Sequence, residues 1–390
     1  MKLNRREYLF AGAVSAVAGL FTKRSAWAEA PTEKQGTPDV PTGIIDWHTH
    51  WFSPTELALL KKRTIPPRLI EENGERYVLG ADTATGPGSK FHIEPRHVDL
   101  PGRIPYLDKT GVERQVVSYT VAQGYDATIP IDELKPILRG FNDDLAEVTR
   151  QHSQRFSGLA ALSTADPTWS SAELERTHKD YGFLGGALPL NAFASLEGAK
   201  KLAPIFETAQ RLKSHLLIHR GAASASIPGQ PVFQIAADSS FARTSLLTDT
   251  QLAAGAITLG LTDFLDAYPD VSVQVIMLGG AIPYVVEQIQ VGPMRINHPS
   301  AEAAHDPIKR FRRIYFDPGP YSVCRRAVEL TVEVFGADRL LFGSDYGPMP
   351  ALEPAIATIN GLSRLTGEDK SRIFRENGKA LLLRKGIGAA

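Results

Sequence analysis

The sequence predicts an α/β fold, a (β/α)8 TIM barrel, on three observations. Short apolar runs alternate with longer amphipathic segments from Ile44 onward, as a parallel sheet with crossover helices requires. The runs number eight, and eight strands with intervening helices favour a closed barrel over an open sheet. The composition, 43% hydrophobic and 22% charged over 390 residues, carries enough apolar mass for one such barrel. A doubly wound open sheet is the alternative if one or two of the runs are not strands.

Taken in chain order, residues 1–28 read as a twin-arginine-type signal peptide. Arg5-Arg6 precedes an uncharged apolar run, Ala11 to Phe21, and Ala26-Trp27-Ala28 offers an A-x-A cleavage site. The run is well short of the roughly 20 residues that span a bilayer, so no stable membrane anchor is expected after cleavage. Export through the twin-arginine machinery to a periplasmic or secreted location follows. Residues 29–43, rich in proline and polar side chains, form a linker, and 44–390 form the barrel domain.

The expected strands are Ile44–His48, Gln115–Tyr119, Gly158–Leu162, Phe183–Leu188, His215–His219, Val271–Met277, Ile314–Asp317 and Leu340–Asp345. Helices are expected at Ile131–His152, Ser171–Tyr181, Glu197–Leu212, Leu246–Ala267, Pro283–Gln290 and Tyr321–Phe335, with a closing helix near Glu368–Leu383. Ser53–Pro101 and Gly221–Thr244 are too long and irregular for simple connections. They are loop insertions after strands 1 and 5, placed to shape a ligand site or a subunit contact.

Charge and cysteine usage narrow the chemistry. Basic and acidic residues both total 43, and removing residues 1–28 leaves a net charge of about −4, so no nucleic-acid partner is expected. The single cysteine, Cys324, excludes an intrachain disulfide framework and any Cys-rich metal site. The first strand ends Asp46-Trp47-His48-Thr49-His50, and side chains two apart on a strand share a face. Two other strands end in His219 and Asp345. Barrel enzymes gather their sites at the carboxyl ends of the strands, and three imidazoles with one carboxylate suit one divalent ion, zinc or a similar first-row metal.

These residues carry a family likeness. Asp46-Trp47-His48-Thr49-His50, Leu107-Asp108-Lys109-Thr110-Gly111-Val112, Asn142-Asp143-Asp144-Leu145-Ala146, Arg155-Phe156-Ser157-Gly158, Leu217-Ile218-His219, Gly279-Gly280-Ala281-Ile282-Pro283 and Gly343-Ser344-Asp345-Tyr346 follow in the order seen in the amidohydrolase superfamily. Over nearly all of Ile44 to Leu383 the chain resembles its amidohydrolase-related branch, which contains aminocarboxymuconate-semialdehyde decarboxylase. The resemblance implies a distorted (β/α)8 TIM barrel of the metal-dependent hydrolase type, often a homodimer, with His48, His50, His219 and Asp345 as metal ligands.

One position departs from that family. Its pattern places an acid/base histidine at the end of the sixth strand, where this chain has Met277, and a thioether has no exchangeable proton. The fourth strand, ending Gly186-Ala187-Leu188-Pro189, offers no Lys or Glu to bridge a second ion, so one metal is expected. The first functional expectation is hydrolysis of an amide, ester or lactone of a small organic acid, with Asp345 as the base for metal-activated water. Non-oxidative decarboxylation of an aromatic or muconate-type acid is the alternative, and a non-catalytic metal-dependent binding protein is the third reading. Arg220 is the candidate clamp for a substrate carboxylate. His97, with His92, is the candidate from the first insertion for contact with substrate and, if the reaction is decarboxylation, for the proton donor that Met277 cannot be.

Overall fold

The computed structural model describes residues 41–83, 88–231, 236, 238–296 and 306–386. The expected signal peptide, and the linker as far as residue 40, lie outside the described residues. Among the described residues, no helix is long and apolar enough to cross a membrane.

Strand β1 (Ile44–His50) is buried at every position, as a strand with both faces covered must be. The first insertion follows, and its described residues build regular elements. Ser53 caps the helix Pro54–Lys62 in a capping box with Glu56. Strands β2 (Arg68–Glu72), β3 (Glu75–Leu79) and β4 (Lys90–Ile93) then form an antiparallel sheet of their own. Asn73 and Gly74, at φ 54° and 81°, make the β2–β3 turn, and both residues tolerate this left-handed geometry.

The barrel continues with β5 (Val112–Ser118), β6 (Phe156–Ala161), β7 (Gly185–Pro189), β8 (His215–His219), β9 (Ser272–Val275) and β10 (Tyr315–Phe316). All pair in parallel, in the order β1-β5-β6-β7-β8-β9-β10. Among the described residues the sheet therefore has seven strands where eight were expected. Leu340–Tyr346 closes the ring by separate hydrogen bonds: Leu341 N donates to Phe316 O and Trp47 N donates to Phe342 O, both at 2.8 Å. Asp345 N donates to His48 O at 2.8 Å and His50 N to Tyr346 O at 3.0 Å. A regular strand is not formed there because Asp345 turns into the left-handed region, φ 59°. Gly343 is also pressed against Asp317, whose Oδ1 lies 2.7 Å from where a Cβ would stand.

Two further expectations are corrected. The helix expected over Glu197–Leu212 is two, Leu196–Lys201 and Ala203–Arg211, because Pro204 can occupy the first turn of a helix but not its interior. The run expected as strand to Met277 stops at Val275. Met277, Leu278, Gly279 and Gly280 then all take positive φ, which swings the chain across the carboxyl end of the barrel.

Candidate metal centre

The centre is assembled from three places in the chain. The pleat of β1 sends His48 and His50 to one side, β8 ends in His219, and the closing segment delivers Asp345. The Nε2 atoms of His48 and His50 are 3.1 Å apart, and those of His50 and His219 are 3.0 Å apart. Asp345 Oδ1 lies 3.1 Å from His50 Nε2 and 3.5 Å from His48 Nε2. One ligand atom from each of the four residues fits within 4.8 Å of the others.

Hydrogen bonding at the far side of each ring explains this convergence. His48 Nδ1 faces Asp317 Oδ1 at 2.7 Å, His50 Nδ1 faces Tyr119 O at 3.1 Å, and His219 Nδ1 faces Arg220 O at 2.8 Å. These three partners only accept, while the Ser118 hydroxyl, 3.2 Å from His50 Nδ1, can do either, so each Nδ1 carries a hydrogen and each Nε2 is free to turn a lone pair toward an ion. Three lone pairs and a carboxylate at about 3 Å repel unless positive charge sits among them. The donor set therefore fits a divalent cation of the first-row type, with each imidazole oriented by an outer hydrogen bond.

The electrostatics show how strongly the site draws positive charge. Burial opposes a proton on His48, but Asp317, Asp345 and Asp46 outweigh it and raise its pKa to about 9, so a proton would occupy its Nε2 wherever a cation does not. His219, buried and facing His50 and His48, is held well below the usual range. Burial pulls Asp345 upward, yet the bond from His50 and the charges of His48, His50 and Arg220 keep it below the ordinary carboxylate value. Asp46, beneath the centre, accepts from Ser344 N and Oγ at 3.0 and 2.6 Å and from Gln115 Nε2 at 3.2 Å, tying β1 to the closing segment.

The other expected site residues divide. Arg220 is exposed beside the centre, its charge reaching both Asp345 and Tyr321, and among the described residues no hydrogen bond or ion pair engages its guanidinium. His97 does not join it. Its Nδ1 accepts from Glu94 N at 2.8 Å and its Nε2 donates to Gly347 O at 2.7 Å, so both ring nitrogens are taken up by backbone. Burial first, then the charge of Arg96, lower its pKa to about 4. The structure thus corrects the assignment to substrate: His97 pins the short helix Pro95–Val98 to the loop after Asp345. His92 lies on β4 and pairs with Glu75 at 2.7 Å. Met277 is buried in the core cluster, as its thioether suggests. Asp317, which orients His48, went unassigned in the sequence, where it reads as the last residue of an apolar run.

A parallel barrel with three imidazoles and one carboxylate at its carboxyl end defines the class, a metal-binding α/β barrel enzyme. Residues 45–384 match the amidohydrolase family model, so the chain belongs to that family. Gamma-resorcylate decarboxylase of Polaromonas sp. (strain JS666 / ATCC BAA-500) is 25% identical over 314 residues, covering 74% of this chain and 89% of that relative. Among solved structures, 2,6-dihydroxybenzoate decarboxylase complexed with 2,6-dihydroxybenzoate superposes with a TM-score of 0.67 at 19% identity, covering 88% of this chain and 99% of that one. Dihydroxybenzoic acid decarboxylase from Polaromonas sp. JS666, with bound manganese and the inhibitor 2-nitroresorcinol, gives 0.65 at 20% identity, covering 88% and 97%.

Proposed function

We propose that the protein is a metal-dependent, non-oxidative decarboxylase of an aromatic hydroxy acid. The observation that carries this reading is an intact four-ligand centre inside a chain that matches a gamma-resorcylate decarboxylase over 89% of that relative's length. It moves the second expectation ahead of hydrolysis, which no reported relative supports. Manganese in the solved relative makes manganese as well as zinc a candidate for the single ion.

A divalent cation held by His48, His50, His219 and Asp345 would supply Lewis-acid stabilisation of negative charge on substrate oxygens. The chain's own residues do the rest. Arg220 holds the carboxylate through its planar fork. The bond between ring carbon and carboxylate carbon breaks, carbon dioxide leaves, and the ring carbon gains a proton. Met277 has none to give. Asp345, at 14% side-chain exposure the most open of the four ligands, takes a proton from water and delivers it to that carbon, and the hydroxide left behind combines with the released carbon dioxide as hydrogencarbonate. Export to the periplasm, for which Arg5-Arg6 and Ala26-Trp27-Ala28 speak, completes the reading; the mature chain should begin at Glu29.

The test is to load the purified chain with manganese or zinc and supply hydroxybenzoates, among them 2,6-dihydroxybenzoate, following carbon dioxide and the decarboxylated ring. Release of both is expected. Cleavage of aryl esters or lactones without decarboxylation would restore hydrolysis. No turnover of either, with metal still raising the melting temperature, would leave a binding protein.

A further inference from the structure

The proton-bearing face of His48 is the start of a longer chain of bonds. Asp317 Oδ1 takes His48 Nδ1–H at 2.7 Å, and Asp317 Oδ2 takes Gln274 Nε2–H at 2.6 Å. The same amide nitrogen lies 3.4 Å from Trp47 O, a second acceptor. Gln274 Oε1 in turn lies 2.9 Å from His215 Nε2, and His215 Nδ1 lies 3.1 Å from Ser272 Oγ. His48, Asp317, Gln274 and His215 are all 0% exposed. His215 and Ser272 are the first residues of β8 and β9, whereas His48 stands near the carboxyl end of β1, so the bonds cross the barrel interior from one end to the other.

Each link fixes the next. Two acceptors on its nitrogen side set the orientation of the Gln274 amide, and its oxygen then requires a hydrogen on His215 Nε2. Were that hydrogen absent, the amide could flip and turn its oxygen on the Asp317 carboxylate, and Asp317 would lose its grip on His48. We infer that Gln274 and His215 are positioning residues for the metal centre, acting through Asp317 to hold His48 with its Nε2 lone pair toward the ion. The inference rests on the metal reading above.

The experiment is manganese titration of the folded full chain by calorimetry, for wild type, Gln274→Leu, His215→Phe and His215→Gln. Outer hydrogen-bond partners of metal-bound histidines are typically worth 10- to 100-fold in affinity. Gln274→Leu is expected to weaken binding by about that factor, and His215→Phe by less. His215→Gln, which keeps an N–H donor at similar reach, should stay nearer wild type than His215→Phe. Manganese affinity unchanged in folded Gln274→Leu would overturn the inference while leaving the metal reading intact. Failure of wild type to bind manganese or zinc would instead sink the metal reading. Should the variants not fold, nitrogen-15 spectra of labelled histidines in zinc-loaded wild type decide: hydrogen on Nδ1 of His48 and on Nε2 of His215 is expected, and the opposite tautomer of His215 overturns it.

Discussion

His215 and His219 stand at opposite ends of one five-residue strand, both buried, yet they have opposite chemistry. At the carboxyl end, His219 Nδ1 donates to Arg220 O, which leaves its Nε2 lone pair facing His50 3.0 Å away. At the amino end, His215 Nε2 donates to Gln274 Oε1 and its Nδ1 takes the Ser272 hydroxyl. Burial lowers the pKa of both, of His215 to about 3, so neither carries charge by itself. What separates a metal ligand from a core histidine here is the partner on the second nitrogen.

That contrast breaks most visibly at the carboxyl end. His219→Gln removes one of three inward lone pairs and should abolish measurable manganese binding and turnover together, a loss of at least about 1,000-fold in kcat/KM. Asp345→Asn should lose turnover to a similar degree through the missing proton donor, while retaining part of the metal in elemental analysis. Equal loss of metal in both variants would reduce Asp345 to a ligand. A smaller effect is expected beside them. Arg220→Lys keeps the charge but not the fork, so KM for an aromatic carboxylate should rise about tenfold with kcat little changed. A fall in kcat at constant KM would show that Arg220 acts on the transition state instead.

The two ends also differ in how far the sequence discloses them. His48 and His50 are legible because strand periodicity puts them on one face, and His219 and Asp345 because they terminate apolar runs at the end where barrels hold their sites. Asp317 and Gln274 are not, because their roles depend on contacts across the barrel between residues 43 and 269 positions apart. The available signal was a polar side chain in the middle of Val273-Gln274-Val275, a strand buried at every position. Asn73-Gly74 between Arg68–Glu72 and Glu75–Leu79 likewise marked a hairpin within an insertion read as irregular. His97 misled because exposure cannot be read locally: the carbonyl that holds it belongs to Gly347, 250 residues away.

The amino end yields the gentlest departure, read in stability beside the modest loss of metal affinity already expected there. His215 titrates near 6.5 when unfolded and at about 3 when folded, because burial disfavours its charged form. Between those values the unfolded chain binds the extra proton. The stability this group contributes is therefore complete above pH 6.5 and is lost progressively as pH falls toward 3. His215→Phe preserves an aromatic ring near Trp47, now 4.8 Å from the imidazole, but has nothing to protonate. At pH 7.5 the variant should be less stable by about 1–3 kcal/mol, since Gln274 Oε1 loses a donor in a buried setting. As pH drops from 6.5 to 4 in urea unfolding, the gap between wild type and variant should narrow and then reverse, because wild type alone bears this proton-linked loss. A gap that stays constant through that window would mean that His215 takes up a proton in the folded barrel, and its assignment as a neutral donor to Gln274 would fail.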